Sequence, residues 1–412
     1  MILPQATKQN AAAIPTSGDQ THLAQLQAFK LGGASSAAIP SLYVHVPFCT
    51  TICGYCDFYV RRVQRGAADP LVDALLRELA GYQTHWKLDL KTIFVGGGTP
   101  TTLAPDTLRR LLSSLRAVAP ADADLEFSIE VNPATVSPRV ADVLAETGVT
   151  RVSIGAQSFD LRELLALERT HTPQRITDTV ARCRAVGIPQ ISLDLIYSIP
   201  GQTLPTWRSN LAAAIALQPD HISCYALTYE ENTPFHRRLQ AGDLQRTPND
   251  LEADMFDATI DDLATAGDAQ YEISNFARPG CECRHNLTYW HNDSYLGLGP
   301  SACGYLDGVR YKNVPDLAAY ASAIESGATA WASEETLLPE PRACEAAMLR
   351  LRLRSGINRD DFQRRYSLDP FAFFSEAIKR NVAAGLIEQD EVGVRLTRAG
   401  LLLADRVARD FL

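Results

Sequence analysis

Between Ser41 and about Tyr229, short runs of alternating apolar residues take turns with longer segments whose apolar positions recur every three to four residues. The first pattern fits strands with buried faces, the second amphipathic helices. Strands are expected at Leu42–Val46, Thr92–Val95, Leu125–Val131, Arg151–Ala156, Ile191–Ile196 and His221–Leu227. Helices are expected at Pro70–Thr84, Pro105–Ala117, Pro138–Thr147, Pro173–Val186 and Pro205–Leu217. Several open on proline, whose missing N–H costs nothing in a first turn. Gly148 and Gly187 follow two of them, as C-terminal caps do. Six strand–helix units imply an α/β fold with a parallel sheet, right-handed crossovers and helices outside. Eight units would close a TIM barrel; six leave a partial (βα)6 barrel.

The pattern changes on either side of this region. Residues 1–40 are rich in Ala, Gln, Ser and Gly and read as a flexible extension with one short helix around Thr21–Leu31. With two lysines and no arginine, they make a poor organelle transit peptide. The barrel and an irregular, aromatic stretch occupy 41–304, and a connecting segment spans 305–339. From Glu340 the reading is helical: Glu340–Leu353, Asn358–Tyr366 and Pro370–Ala384. A hairpin of Leu386–Asp390 and Val392–Leu396 follows, then a last helix, Arg398–Leu412. This order describes a winged-helix-like α+β module over 340–412. It holds 13 Lys and Arg against 11 Asp and Glu, too even for a phosphate-binding face, so a lid or docking role is expected.

Composition narrows the partners. A net charge of −9 over 412 residues argues against a general nucleic-acid binder. Nine cysteines, without a secretory segment or a membrane-length apolar run, point to a reducing cytoplasm and no membrane span. A tight cysteine cluster there is expected to bind metal.

Such a cluster follows the first strand. Cys49, Cys53 and Cys56 are spaced C-x3-C-x2-C, with Pro47 ending the strand and Gly54 permitting the turn. Thiolates are the soft ligands that iron–sulfur clusters take, normally four of them. Three in one loop leave one iron open to a small molecule. A partial zinc site or unrelated buried thiols are the other readings; zinc sites mostly add a second Cys or His pair, and no second pair has that spacing.

The strand ends carry further chemistry, as βα barrels require. Gly96-Gly97-Gly98-Thr99-Pro100 closes the second strand, and Glu130, Gln157 and Asp194 lie on the third, fourth and fifth. Each polar residue alone could be a paired core residue. Three on successive strands favour a polar ligand at the barrel mouth. The glycines allow close backbone approach, but lack the pattern and lysine of a phosphate loop. Arg169 could meet a carboxylate, or be an ordinary solvated helix arginine. Farther on, Cys283 and His285 could ligate iron, although a lone loop histidine is more often structural.

The cysteine spacing within LYVHVPFC…CGYCDFY resembles the signature of the radical S-adenosylmethionine (SAM) superfamily. It is most similar to the branch of oxygen-independent coproporphyrinogen III oxidases (dehydrogenases) and the HemW haem chaperones. The resemblance runs from about Ser41 to the C-terminus and implies a [4Fe-4S] cluster whose open iron chelates SAM. It implies SAM contacts for Tyr43, Tyr55, Gly97, Gly98, Thr99, Glu130, Gln157, Arg169 and Asp194. His285-Asn286-x-x-Tyr289-Trp290 is similar to the haem-binding motif of the chaperones, making haem a ligand and His285 its candidate axial residue. The dehydrogenases carry a fourth cysteine where this chain has Phe58, and they lack the HNxxYW stretch. Both features favour a chaperone that passes haem to an acceptor protein. The alternative is oxidative decarboxylation of coproporphyrinogen III. The resemblance also implies an external reductant for the cluster; it names no catalytic residue.

Overall fold

A computed structural model describes residues 38–120 and 124–412, so the helix expected around Thr21–Leu31 lies outside it. The chain opens on β1 (Ile39–Val46), followed by a two-residue parallel ladder of β2 (Phe48–Cys49) with β3 (Arg61–Arg62). Then come β4 (Leu88–Gly97), β5 (Glu126–Val131), β6 (Arg151–Gln157), β7 (Gln190–Tyr197) and β8 (His221–Ala226). In the order β1-β4-β5-β6-β7-β8 these six are parallel, as the sequence pattern requires. Helices Ala68–His85, Pro105–Ala117, Pro138–Glu146, Pro173–Ala185 and Leu204–Ala216 connect them. The alternation has a direct outcome: Leu42, Val44, Ile93, Val95, Phe127, Ile129, Val152 and Ile154 are fully buried. Each such side chain contributes roughly 1.5–3 kcal/mol.

The sheet extends beyond those six. On one side β10 (Asn275–Ala277) runs antiparallel to β8 and carries the short β9 (Ala269–Gln270). On the other, β11 (Leu296–Leu298) adds in parallel to β1, pairing Leu42 with Leu296. The sheet is therefore mixed and nine-stranded.

The segment read as a connection has structure of its own. There β12 (Cys303–Leu306), β13 (Val309–Asn313) and β14 (Trp331–Thr336) form an antiparallel sheet, with the helix Leu317–Glu325 between the last two. Tyr311 stacks on Trp331 with ring centroids 4.3 Å apart, a contact no local pattern announces.

The C-terminal module comprises helices Pro339–Arg350 and Arg359–Tyr366 and a three-stranded sheet of β15 (Ile357–Asn358), β16 (Ile387–Gln389) and β17 (Gly393–Leu396). Two long helices of the sequence reading are broken. Pro370–Phe373 and Ser375–Ala383 part at Phe374, and Arg398–Leu402 and Ala404–Arg409 part at Leu403. Phe374 is buried against Phe362 and Phe411, packing that a straight helix axis would not deliver. Among the described residues no helix is long and apolar enough to cross a membrane.

One buried carboxylate ties the helix after the cysteine loop to the later segments. Glu78 accepts from Gly299 N–H at 2.9 Å, Asn313 Nδ2 at 2.8 Å and Tyr320 O–H at 2.5 Å. Burial pushes its pKa up to about 7. Glu78→Ala strands those three donors and should lower stability by about 2–4 kcal/mol in urea unfolding. In the native protein Glu78 keeps a proton that the unfolded chain has released above its ordinary value of 4.5. Its share of stability therefore declines as pH rises from about 4.5 to 7, and Glu78→Ala should lose that slope.

Candidate functional site

The cysteine loop leaves β1 at Pro47 and is held before any metal is considered. Arg61 N–H donates to Pro47 O at 2.7 Å and Val63 N–H to Cys49 O at 3.0 Å, fixing the loop's two ends together. Its apex sits in a socket made by distant residues. Gly54 N–H donates to Glu168 Oε2 at 3.1 Å, and Gly54 O accepts from Phe235 N–H at 2.9 Å. A Cβ on Gly54 would lie 2.6 Å from the Phe235 ring, so only glycine fits. Arg238 pairs with Glu168 at 3.3 Å, and Tyr55 meets Phe235 edge-on at 5.9 Å.

The three thiols are half-buried. Burial raises the Cys49 and Cys56 thiols, Cys56 to about 11, and the neighbouring thiols add to each shift. Cys49 Sγ lies 3.7 Å from Thr99 Oγ1, and Arg169 Nη1 donates to Cys53 Sγ at 3.6 Å. Among the described residues, no three His, Cys, Asp or Glu side chains gather tightly enough for a single metal ion. Three thiols in one loop are the soft donors that an iron–sulfur cluster takes.

Above the loop, the β4 glycines form a cradle. Gly97 has φ +106°, and a Cβ there would come within 2.4 Å of the His45 ring. Gly98 passes so close to the chain that its Cβ would lie 2.7 Å from Phe48 O. Gly98 N–H donates to Val46 O and Thr99 N–H to Phe48 O, locking the cradle onto the loop. His45 donates from Nε2 to Tyr59 O at 2.8 Å, so its Nδ1 accepts from Tyr43 O–H at 2.9 Å. Burial holds this histidine neutral, its pKa pushed down to about 4.

The polar strand residues converge here. Glu130 Oε2 accepts from Gly97 N–H at 2.9 Å, and burial, with Asp194 adding to it, pushes Glu130 up to about 7. Ser153 Oγ donates to both Asp194 oxygens at 3.0 and 2.9 Å; burial still raises Asp194. Gln157 ends β6 at φ +65°, its amide lying over Gly155. Arg169 Nη2 donates to Gly155 O at 2.9 Å, while its buried Nε has no partner among the described residues. Tyr43, Glu130, Gln157, Arg169 and Asp194 are each only half-buried by exposed surface. Burial nonetheless raises both Glu130 and Asp194, whose carboxyl groups lie near enough for Asp194 to raise Glu130 further. Two uncompensated carboxylates, an orphan guanidinium N–H and a glycine cradle beside three thiols fit a zwitterionic ligand against a cluster.

His285 lies elsewhere. It is 0% exposed in the helix Arg284–Trp290, with Nδ1 2.7 Å from Thr92 Oγ1 and Nε2 2.9 Å from Tyr289 O–H. Its ring stacks on Phe94 at 5.2 Å, and burial pushes its pKa down to about 3. As placed, both ring nitrogens meet protein hydroxyls, so the expected axial role would require one of these contacts to be exchanged for iron. Cys283 is equally enclosed, its thiol 3.5 Å from Glu126 Oε1. The HNxxYW helix closes the barrel interior from the far side of the cradle.

Sequence reasoning missed the socket. Glu168, Phe235 and Arg238 belong to no motif; the one local signal was Glu168 beside Arg169, and its φ of +57° appears only in the fold.

Comparison with known proteins agrees with this geometry. A model described as "Radical SAM superfamily" matches residues 43–211, and one described as "HemN C-terminal domain" matches residues 337–403. The chain is 36% identical to the heme chaperone HemW of Bacillus subtilis over 374 residues, covering 90% of this chain and 99% of that one. It is 36% identical to the heme chaperone HemW of Mycobacterium tuberculosis, with 90% and 94% covered. This chain belongs to the HemW family of the radical SAM superfamily. A solved structure, the coproporphyrinogen III oxidase HemN of Escherichia coli, is similar with a TM-score of 0.82 at 26% identity, over 96% of this chain and 93% of that one. Membership in the radical SAM superfamily implies a [4Fe-4S] cluster and SAM, and the cradle and thiols of this HemW-family chain have the donors for both.

The placement of His285 has a measurable consequence. His285→Ala leaves a hole and strands the Thr92 and Tyr289 hydroxyls, and should cost about 2–4 kcal/mol in urea unfolding. A variant as stable as the wild type would free His285 for a ligand role.

Proposed function

We propose that this chain is a haem chaperone that holds a [4Fe-4S] cluster on Cys49, Cys53 and Cys56, SAM in the cradle, and haem for delivery to an acceptor protein. When bound, the cluster supplies an open iron able to chelate the amino and carboxylate groups of SAM. In this reading Gly97, Gly98 and Thr99 present backbone groups to that ligand. Glu130 faces its amino group and Arg169 its carboxylate, while Tyr43, Tyr55, Gln157 and Asp194 complete the wall. The haem ligand is not assigned to His285, for the geometric reason given. Segment 340–412 serves as the lid or docking module.

The observation that carries the chaperone reading is Phe58. It stands two positions after Cys56, where the resembled dehydrogenases have a fourth cysteine, and it is 49% exposed. The similar HemW proteins of Bacillus subtilis and Mycobacterium tuberculosis, named heme chaperones, support the same reading. The likeness to HemN favours a second one, oxidation of coproporphyrinogen III.

The test has two arms. Anaerobically reconstituted protein with SAM and reductant should give no protoporphyrinogen from coproporphyrinogen III, and haem titration should give a saturable Soret shift. Robust decarboxylation establishes the second reading, and absence of a Soret shift removes haem from the first.

SAM binding should follow Glu130. Burial raises its pKa to about 7, and the ionised carboxylate is the better acceptor for the ligand's amino N–H groups. Affinity should therefore rise as pH rises through 7. Glu130→Gln should weaken SAM about tenfold or more at pH 8 and flatten that dependence in calorimetry. A pH-independent wild type would remove Glu130 from the ligand.

A further inference from the structure

We propose that the outer face of the cysteine loop is the docking surface for a small acidic electron-transfer protein, the one-electron donor to the cluster. The proposal rests on the reading that Cys49, Cys53 and Cys56 hold that cluster. In a chain of net charge −9, three arginines fall within the five residues 61–65. The ladder pairs Cys49 with Arg62, and Val63 N–H bonds Cys49 O at 3.0 Å, so this basic stretch is fixed against a cluster ligand. Arg61, Arg62 and Arg65 are exposed, and none forms an ion pair among the described residues. The Arg61 guanidinium lies 5.1 Å over the Tyr59 ring and donates to its hydroxyl at 3.3 Å, which orients the charge without neutralising it.

Apolar side chains stand among these charges. Ile52 is 40%, Phe58 49% and Val63 39% exposed, all within the same loop and ladder. The Phe58 N–H bonds the Cys56 thiol, which ties the backbone of this exposed residue to a second candidate ligand. Exposed apolar groups among charges mark an interaction surface, and with Arg61, Arg62 and Arg65 outnumbering the exposed Asp57 the patch is net positive and selects an acidic partner. Electron-transfer encounters are small and transient, which a patch of this size suits. Tunnelling falls exponentially with distance, and the ladder keeps Arg62 paired with Cys49, so a partner on these arginines lies close to a candidate cluster ligand. One electron leaves the donor's reduced centre and enters the oxidised cluster, with no bond or proton exchanged.

The test uses the full chain with its cluster reconstituted and iron content measured. The probe is a reduced plant-type ferredoxin, acidic and a one-electron donor, mixed anaerobically while cluster absorbance is followed. The wild-type rate should fall steeply with salt. Arg62→Glu/Arg65→Glu should slow it about tenfold or more at low ionic strength and abolish that dependence. Phe58→Ser should slow it several-fold and keep the salt slope. Reduced methyl viologen, a cation, should reduce the charge-reversed protein at least as fast as the wild type. An unchanged ferredoxin rate in both variants overturns the proposal, as does equal slowing with methyl viologen. Loss of the ferredoxin reaction on adding one equivalent of haem, through the same arginines, would reassign the patch to propionates and also overturn it. Failure of the wild type to take up iron strikes the cluster reading itself.

Discussion

A parallel strand sends alternate residues to opposite faces, and in this chain the two faces of six strands do opposite work. The outward face is aliphatic and packed under helices; the inward face is almost wholly polar. Inside lie Ser41, Tyr43 and His45 of β1, Glu126, Ser128 and Glu130 of β5, and Ser192 and Asp194 of β7. A polar interior costs free energy unless each group finds a partner. At the far end the partners are protein: Glu126 lies 3.5 Å from Arg151 and accepts the N–H groups of Arg284 and His285, both at 2.9 Å. At the cradle end pairing is incomplete, and Glu130 and Asp194 carry raised pKa values with no ion pair among the described residues. The same constraint is solved at one end and left open at the other, and the open end is where the proposed ligand would complete the pairing.

The helix Arg284–Trp290 joins that interior to the C-terminal module. Its inward side chains, His285 and Tyr289, bond Thr92 and each other's ring and touch Phe94, which in turn stacks near Tyr43 at 6.3 Å. Its outward side chain, Trp290, packs with Leu349 and Leu353, under the Arg352 guanidinium at 5.2 Å. Arg365 reaches the segment just beyond, pairing with Asp293 at 2.5 Å. The HNxxYW helix is thus a wedge, one face in the barrel and the other against the module. His285 and Trp290 are constrained by different neighbours, although they share one short helix.

How much of this was legible follows from the range of each interaction. The six strands could be read because period-two alternation is local, and the cysteine loop because three ligands fall within eight residues. The cradle could be read from Gly96–Gly98, whose lack of side chains is itself the signal. The three-stranded sheet of β12, β13 and β14 was not legible: its pairing is with Trp331 and its anchor is Glu78, far away in sequence. The broken helices were missed because helical propensity continues through Phe374 and Leu403, and only tertiary packing stops it. The surroundings of His285 were not legible for a related reason. A histidine beside aromatics has the same spelling in a haem pocket and in a core, and burial decides between them.

The socket under Gly54 shows in which direction the energetics of the site run. In small metal domains the ion organises the chain, so apo protein is unfolded. Here the loop's ends are fixed by β1 and the β2–β3 ladder, and its apex by Glu168 and Phe235, all through backbone hydrogen bonds that need no metal. The entropy of ordering the thiols is offset by contacts with the barrel. Arg169 follows Glu168 immediately, so the residue that holds the loop and the residue that meets both Cys53 and Gly155 move as one unit. A single turn after the helix Leu161–Ala166 therefore sets the position of the thiols relative to Glu130 and Gly97. That coupling explains why the apex tolerates no side chain: a methyl group at Gly54 would displace Glu168 and, through it, the guanidinium at the ligand site.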